Sequence, residues 1–464
     1  MRRKIDEELI KWKESDNRKS MLIFGARQVG KTYSVMKFSK NYDHFLNINF
    51  ETNPEAGELF EGDISTDALV EKLRMMYPKV KIRPEETLIF FDEVQFCPRA
   101  FTSLKPFTND GRYHVIASGS NLGTKYRKET SYPVGYVDIV TLYSMDFEEY
   151  LWAAGLDEKH IEYVKKCIRE TEQIDEFILE IFNERFREYM VAGGMPEVVK
   201  GFVEDRSFYK ARKKQEVINR MYLEDIGKYA ERGDKSRAAN CFRSVPNQLA
   251  KDNKKFMYAE IDKTTNANSR IYGAAVRWLT DSYHVNQCFN LQNPHIPFEW
   301  NAESSSFKLF FHDTGLLMSM MAPQVAWSIL NADTYANKGG VAENAVCEAL
   351  VKNGIMPFYF ATKRLETDFI IPMDRDTAVI EVKSGNNKMA KAMHSVMSPM
   401  YGVKRGICFE NTNIYIDSNG IEHYPLFTAS FIHSLERYGW DNIGGNGNEP
   451  RQRSEGRESE EKKE

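Results

Sequence analysis

No stretch of this chain stays apolar for the roughly 18 residues that a membrane-spanning helix needs, which excludes a transmembrane protein and a membrane partner. The N-terminus, MRRKIDEELIKWKESDNRKS, is basic but has no apolar core behind it, so it is not a secretory signal. It reads instead as a short amphipathic helix with Ile5, Leu9, Ile10 and Trp12 on one side. Cysteine is sparse and scattered: six residues at 97, 167, 241, 288, 347 and 408, none in a C-x-x-C spacing. That argues against a zinc site or a disulfide framework and places the chain in a reducing cytoplasm. Charge of one sign is not in excess either. The net charge of −4 excludes a global nucleic-acid signature, although residues 200–277 hold 18 Lys/Arg against 10 Asp/Glu.

What is present is an ordinary globular composition, 42% apolar and 28% charged, over 464 residues. That length is too great for one compact core, and two to four domains are expected. The first informative segment is GARQVGKT, residues 25–32, which fits GxxxxGK(S/T) without a mismatch. Met-Leu-Ile-Phe before it has a buried-strand pattern, and YSVMKFSK after it reads as a helix. In that context Gly25, Ala26, Arg27, Gln28, Val29 and Gly30 form a loop whose backbone N–H groups curl around phosphate oxygens at a helix N-terminus. Lys31 reaches the β- and γ-phosphates of ATP, and the Thr32 hydroxyl ligates magnesium.

Such a loop requires an acidic residue at the end of another buried strand, and TLIFFDEVQFCP, residues 87–98, supplies it. Asp92 is expected to hold Mg2+, and Glu93 to polarise the attacking water, which favours hydrolysis over transfer. A strand candidate at 45–51 lies between the two motifs, and another at 113–121 follows them. The latter ends in small polar residues, where Ser118 or Ser120 senses the γ-phosphate. With one strand inserted between the two motif strands, the expectation is an additional-strand P-loop ATPase: an α/β fold with a parallel sheet and helices on both faces. A further strand at 137–142 precedes a helix at 145–155. Arg99, Arg112 and Arg127 are all available as an arginine finger, and the sequence does not choose between them. A finger supplied by a second copy would make the chain a homo-oligomer.

From 156 to 232 the pattern is helical and charged, interrupted by GGMPEVV, where Gly-Gly and Met-Pro end one helix and start the next. Residues 233–330 read as a winged-helix unit. Helices cover roughly Lys235–Ala250 and 269–282, and a hairpin runs from 284–291 to 307–313. Arg270 and Arg277, seven apart on one helix face, can meet DNA phosphates. The segment 331–443 carries a second chemical constellation. Glu343 stands near the start of a helix, Asp368 on a strand, and Glu381 with Lys383 on one face of the next strand. Asp368 and Glu381 can share a metal ion, Lys383 can position or activate water, and Glu343 can support from the helix, as metal-dependent phosphodiester cleavage requires. The same residues also suit a fold that no longer cleaves. The remainder, 444–464, is glycine and charge without apolar residues and reads as a disordered tail.

GARQVGKT, FFDEVQ, S-Y-P-V-G, M-D-F-E-E-Y, GGMPEVV, Y-L-E-D-I-G-K-Y, F-F-H-D-T-G-L-L and D-F-I-I…I-E-V-K-S-G occur here in the order that resembles the prokaryotic AAA-type ATP-binding proteins with a C-terminal domain of unknown function. The resemblance spans about residues 2 to 435. It implies an ATPase core over 1–155, a helical lid over 156–232, a winged helix, and an α/β domain similar to the PD-(D/E)xK nucleases, which are restriction-endonuclease-like. Lys31, Thr32, Asp92 and Glu93 match that family's phosphate, magnesium and Walker B residues, and Asp368, Glu381 and Lys383 match its nuclease-like motif. One departure is Gly135-Tyr136, where many relatives have a glycine–arginine pair. The function expected is a magnesium-dependent ATPase acting as a switch or motor on nucleic acid. The alternatives are an ATP-licensed nuclease and a non-cleaving, nucleotide-regulated scaffold.

Overall fold

A computed structural model describes residues 1–120, 135–229, 235–262, 266–332, 339–374, 376–383 and 391–437. Arg127 and the tail at 444–464 lie outside them. The chain divides into two compact units built from alternating segments. The first takes Met1–Gly155, Arg187–Gln287 and Lys308–Glu348; the second takes Leu156–Phe186, Cys288–Phe307 and the chain from Ala349 on. Among the described residues no helix is long and apolar enough to cross a membrane.

The first unit is organised by five strands: β1 (Ser20–Phe24), β2 (His44–Asn49), β3 (Thr87–Asp92), β4 (His114–Gly119) and β5 (Val137–Thr141). Every pair is parallel, in the order β2-β3-β4-β1-β5. The two motif strands, β1 and β3, are therefore separated by one strand, as an additional-strand sheet requires, but that strand is β4; the strand at 45–51, which lies between the motifs in sequence, is β2 at the sheet edge. No residue of β3 or β4 is exposed. A strand covered on both faces has no solvent side to mark with polar residues, so TLIFF reads as an unbroken apolar run. The core beside it gathers Leu46, Ile48, Phe91, Phe101, Leu104 and Phe107 from strands and flanking helices. Helix Lys4–Glu14 buries Ile5, Leu9 and Trp12 but leaves Ile10 exposed. Positions i, i+4 and i+7 share a face, and Ile10 lies about 100° away from Leu9.

Helix Glu176–Ala192 stops at Gly193, whose φ of 73° is left-handed, and Pro196 opens the next helix, Pro196–Asp205. This is the break that Gly-Gly and Met-Pro predict. Helices Lys235–Leu249 and Ser269–Asp281 form and pack on each other.

The second sheet has eight strands: β6 (Val285–Leu291), β7 (Ala302–Phe311), β8 (Phe358–Phe360), β9 (Phe369–Met373), β10 (Asp376–Val382), β11 (Arg405–Glu410), β12 (Tyr415–Ile416) and β13 (Glu422–Pro425). Their order is β12-β13-β11-β10-β9-β8-β6-β7. The hairpin read from sequence as a wing is thus the edge of this sheet, because β6 pairs in parallel with β8 through Phe289–Phe358 and Leu291–Phe360. β10, β11 and β13 are mutually parallel, whereas β9 runs antiparallel to β10. Helix Lys391–Met397 lies on β10 and β11, with Met393 and Val396 in a core that includes Phe358, Ile370 and Val379.

Candidate nucleotide-binding site

The loop from Gly25 to Thr32 joins the carboxyl end of β1 to helix Lys31–Phe38. Its shape needs glycine where the backbone is crowded. Gly25 has φ of 147°, and a Cβ there would stand 2.0 Å from the Leu142 carbonyl oxygen; Gly30 has φ of 99°. No side chain fits the first position, and the left-handed second one favours glycine. Gln28 is also left-handed, with φ of 65°. Ala26 and Val29 are buried and anchor the loop from below.

Lys31 is buried, and its ammonium donates to the Gly25 and Ala26 carbonyls, both at 2.9 Å. Burial pushes its pKa down, with Glu93 and Asp92 opposing that shift.

At the end of β3, Asp92 collects three donors. Thr32 Oγ1 reaches Oδ2 at 2.9 Å, Asn49 Nδ2 reaches the same oxygen at 3.0 Å, and the Ser118 hydroxyl donates to Oδ1. Because β4 sits between the motif strands, Ser118 stands beside Asp92, and its hydroxyl is spent on that carboxylate. Glu93 follows in a left-handed conformation with φ of 55°, which turns its side chain out of the strand's alternation. Gln95 Nε2 donates to its carboxylate, and Ser120 Oγ stands 3.5 Å from it. Lys31, Thr32, Asp92, Glu93 and Ser118 are thus brought together at the carboxyl ends of β1, β3 and β4.

Several residues around the loop carry no signal that the spacing of motifs reveals. Asn49, at the end of β2, fixes Asp92 and uses its own carbonyl to accept from the Glu51 and Thr52 N–H groups. Arg3 is buried and donates 2.9 Å hydrogen bonds to the Val29 and Tyr143 carbonyls. Its Nε lies 2.9 Å from Glu149 Oε1, an ion pair made off the N–H axis. From helix Phe208–Tyr229, Tyr222 donates to the Arg27 carbonyl at 2.9 Å, and Asp225 accepts from Arg27 Nη1 at 2.9 Å. The Y-L-E-D segment therefore straps the phosphate loop from outside the sheet. Of the candidate finger residues, Arg99 donates to the Phe60 and Gly62 carbonyls and Arg112 to Asp110 and Asp67.

The second constellation divides. Glu343 belongs to the first unit, where its carboxylate meets Lys254 Nζ at 2.6 Å. Asp368, Glu381 and Lys383 belong to the second. Asp368 accepts a 2.8 Å hydrogen bond from Val382 N, and the antiparallel register that pairs Phe369 with Ile380 sets Asp368 beside Glu381. The Lys383 ammonium hydrogen-bonds the Cys408 thiol, whose pKa burial raises to about 12. Arg270 and Arg277 are exposed on helix Ser269–Asp281.

Residues 17–151 match the model of a family described as an AAA domain. Residues 183–326 match a domain of unknown function, DUF8612, and residues 338–426 match another, DUF4143. No curated protein matches the chain. Among solved structures it is similar to the Walker-type ATPase PABY2304 of Pyrococcus abyssi, at 15% identity over 69% of this chain and 95% of that one, TM-score 0.42. The Aeropyrum pernix ORC1 protein in complex with DNA is similar at 12% identity over 71% of this chain and 91% of that one, TM-score 0.28. AMPPCP-bound DnaA from Aquifex aeolicus is similar at 12% identity over 59% and 86%, TM-score 0.27. The AAA match covers all five strands of the first sheet and both of its motifs, so this part of the chain is similar to an AAA domain and has a P-loop-type α/β fold.

Proposed function

We propose that the chain is a magnesium-dependent ATPase that works as a switch or motor and transmits its nucleotide state to a nucleic-acid-associated C-terminal domain. The observation that carries this reading is the 2.9 Å contact between Thr32 Oγ1 and Asp92 Oδ2, beneath a loop that only glycine can form at Gly25. A hydroxyl and a carboxylate already in contact are the donor set that magnesium takes beside a bound triphosphate, and these two residues would hold it. When bound, the ion neutralises charge on the phosphate oxygens.

The chain's own groups do the rest. The loop N–H groups and the end of helix Lys31–Phe38 cradle the phosphates. Lys31 exchanges its two carbonyl partners for phosphate oxygens. Glu93 orients a water molecule toward the γ-phosphorus and takes its proton as the new P–O bond forms and ADP departs. Ser118 and Asn49 hold Asp92 in place, and Tyr222 and Asp225 carry movement of the loop into helix Phe208–Tyr229. An arginine supplied by a second copy would complete the site, so the rate per chain is expected to rise with protein concentration.

The test is ATP turnover by the full chain with and without DNA. Wild type hydrolyses ATP, Lys31→Ala neither binds nor hydrolyses it, and Glu93→Gln binds without turnover. Wild-type protein that neither binds ATP nor turns it over refutes the proposal. DNA stimulation that weakens when Arg270 and Arg277 are both changed to Ala assigns the nucleic-acid contact to helix Ser269–Asp281.

A second reading, an ATP-licensed nuclease, draws support from the Asp368–Val382 hydrogen bond that sets Asp368 beside Glu381. Glu381→Ala and Lys383→Ala should then lose metal-dependent cleavage and keep ATP turnover. If wild type cuts no form of DNA or RNA, this reading fails and the switch remains. Six buried cysteines, none of them in a disulfide, suit a reducing cytoplasm.

A further inference from the structure

β11 places Cys408 and Glu410 two residues apart, and therefore on one face. The parallel registers put Glu381 of β10 on one side of Cys408 and His423 of β13 on the other. The antiparallel register then sets Tyr415 of β12 beside His423. One row across four strands thus reads Glu381, Cys408, His423, Tyr415. With Glu410 added from the same face of β11, one donor atom each from Cys408, Glu410 and His423 lies within 4.8 Å of the others.

His423 is the informative member. It is only 3% exposed, its Nδ1 stands 2.6 Å from Glu410 Oε1, and its Nε2 has no hydrogen-bond partner. Asp417 Oδ2, 3.7 Å from Nε2, is within ion-pair range but too far for a hydrogen bond. The Tyr415 ring stacks on the imidazole with centroids 4.3 Å apart and planes 10° from parallel, which fixes the ring's orientation. An ordinary histidine–glutamate pair accounts for Nδ1 alone. It leaves a buried ring nitrogen unsatisfied and a thiol among the same polar groups.

We propose that Cys408, Glu410 and His423 bind one divalent cation of the zinc class. A thiolate, an imidazole and a carboxylate together suit a borderline-soft ion, and three protein ligands leave a fourth position for water. Lys383, hydrogen-bonded to the Cys408 sulfur, is the group the cation displaces. This set differs in kind from Asp368 and Glu381, whose oxygen-only ligands suit magnesium. The lack of C-x-x-C spacing does not exclude it, because neighbouring strands, not neighbouring residues, supply the ligands. The proposal is independent of ATP hydrolysis.

The experiment titrates chelator-stripped full chain with Co2+ in the absence of nucleotide. The expected result is a thiolate-to-cobalt charge-transfer absorption that saturates at one ion per chain and is displaced by Zn2+. Cys408→Ser should abolish the band, and His423→Gln should weaken Co2+ binding by about tenfold or more. Glu381→Gln should leave binding within about twofold, each variant being checked for an unchanged circular dichroism spectrum. The proposal is overturned if wild type gives no thiolate band, if the band survives Cys408→Ser, or if Glu381→Gln abolishes it.

Discussion

Arg3→Met removes a guanidinium that joins three parts of the first unit: the glycine-bounded loop at Val29, the strand exit at Tyr143, and helix Phe147–Ala153 through Glu149. Methionine fills similar volume, so the change isolates the polar contacts. Breaking a buried ion pair by deleting one partner costs about 3–5 kcal/mol, because the other charge stays buried. Both residues here are at most 5% exposed. Burial already raises the Glu149 pKa, and Arg3 is the largest influence opposing that rise. Without Arg3 it rises further. The sign follows: a carboxyl whose folded pKa lies above its unfolded value near 4.5 is penalised increasingly as the pH rises past that value. The variant's deficit should therefore be larger at pH 7.5 than at pH 5, by more than about 1 kcal/mol. Because the chain has two compact units, the relevant urea transition is the one that ATP shifts. Adding Glu149→Gln to Arg3→Met should restore part of the loss, a coupling of about 1 kcal/mol or more. A deficit below about 1 kcal/mol, or one equal at both pH values, would refute this account of Arg3.

Ser118→Ala should lower kcat for ATP by about tenfold with little change in ATP affinity, because it frees Asp92 Oδ1 without touching the loop; steady-state kinetics beside equilibrium binding separate the two. His284 is buried between Tyr222 and Trp278, and desolvation followed by the nearby His312 lowers its pKa to about 3. The unfolded chain binds that proton near pH 6.5, so stability is lost as pH falls through that range, about 2 kcal/mol by pH 5; urea melts of His284→Phe should show a shallower loss. Gly194→Ala would place a Cβ 1.9 Å from the Met145 carbonyl oxygen, a clash expected to cost about 3 kcal/mol or more and to be seen as lost soluble protein and a lowered Tm.

The first sheet was legible because each of its signals is local. A buried strand, a glycine-bounded loop and a helix occur in one stretch at 21–38, and TLIFFDE repeats the strand-then-acid pattern. Strand order did not follow from counting strands between motifs: the strand at 45–51 lies at the sheet edge, and β4, which follows both motifs in sequence, separates β1 from β3. What the sequence did not disclose is held by contacts across long separations. Arg3 meets Glu149, and Tyr222 meets Arg27, at positions that no periodicity links. Ile10 was misread because neighbours in an apolar run do not share a helix face, whereas residues four apart do. The hairpin at 285–311 looked like a wing because antiparallel pairing is a local signal. Its parallel pairing with β8, whose residues lie 69 positions downstream of their β6 partners in the register Leu291–Phe360 and neighbouring pairs, is not.

The motifs that carried the family resemblance fall into two physical kinds. GARQVGKT and FFDEVQ gather polar side chains at the mouth of a glycine-bounded loop, but GGMPEVV and F-F-H-D-T-G-L-L place backbones against each other. Asp313, fully buried, accepts from Gly194 N at 2.8 Å and from Leu316 N at 3.1 Å. A Cβ on Gly193 would meet that carboxylate at 2.3 Å, and one on Gly315 would meet Gly193 N at 2.5 Å. Glu348, also buried, accepts from Tyr189 at 2.8 Å and from Thr314 N at 2.7 Å. These acids have the residue types of a catalytic pair, yet their described oxygens are engaged with backbone N–H and hydroxyl groups that knit three chain segments together. Residue type and order therefore mark both kinds of motif equally. Only the partners of each carboxylate separate them: Asp92 faces a hydroxyl and a lysine at the mouth of a glycine loop, whereas Asp313 faces the backbone of its own core.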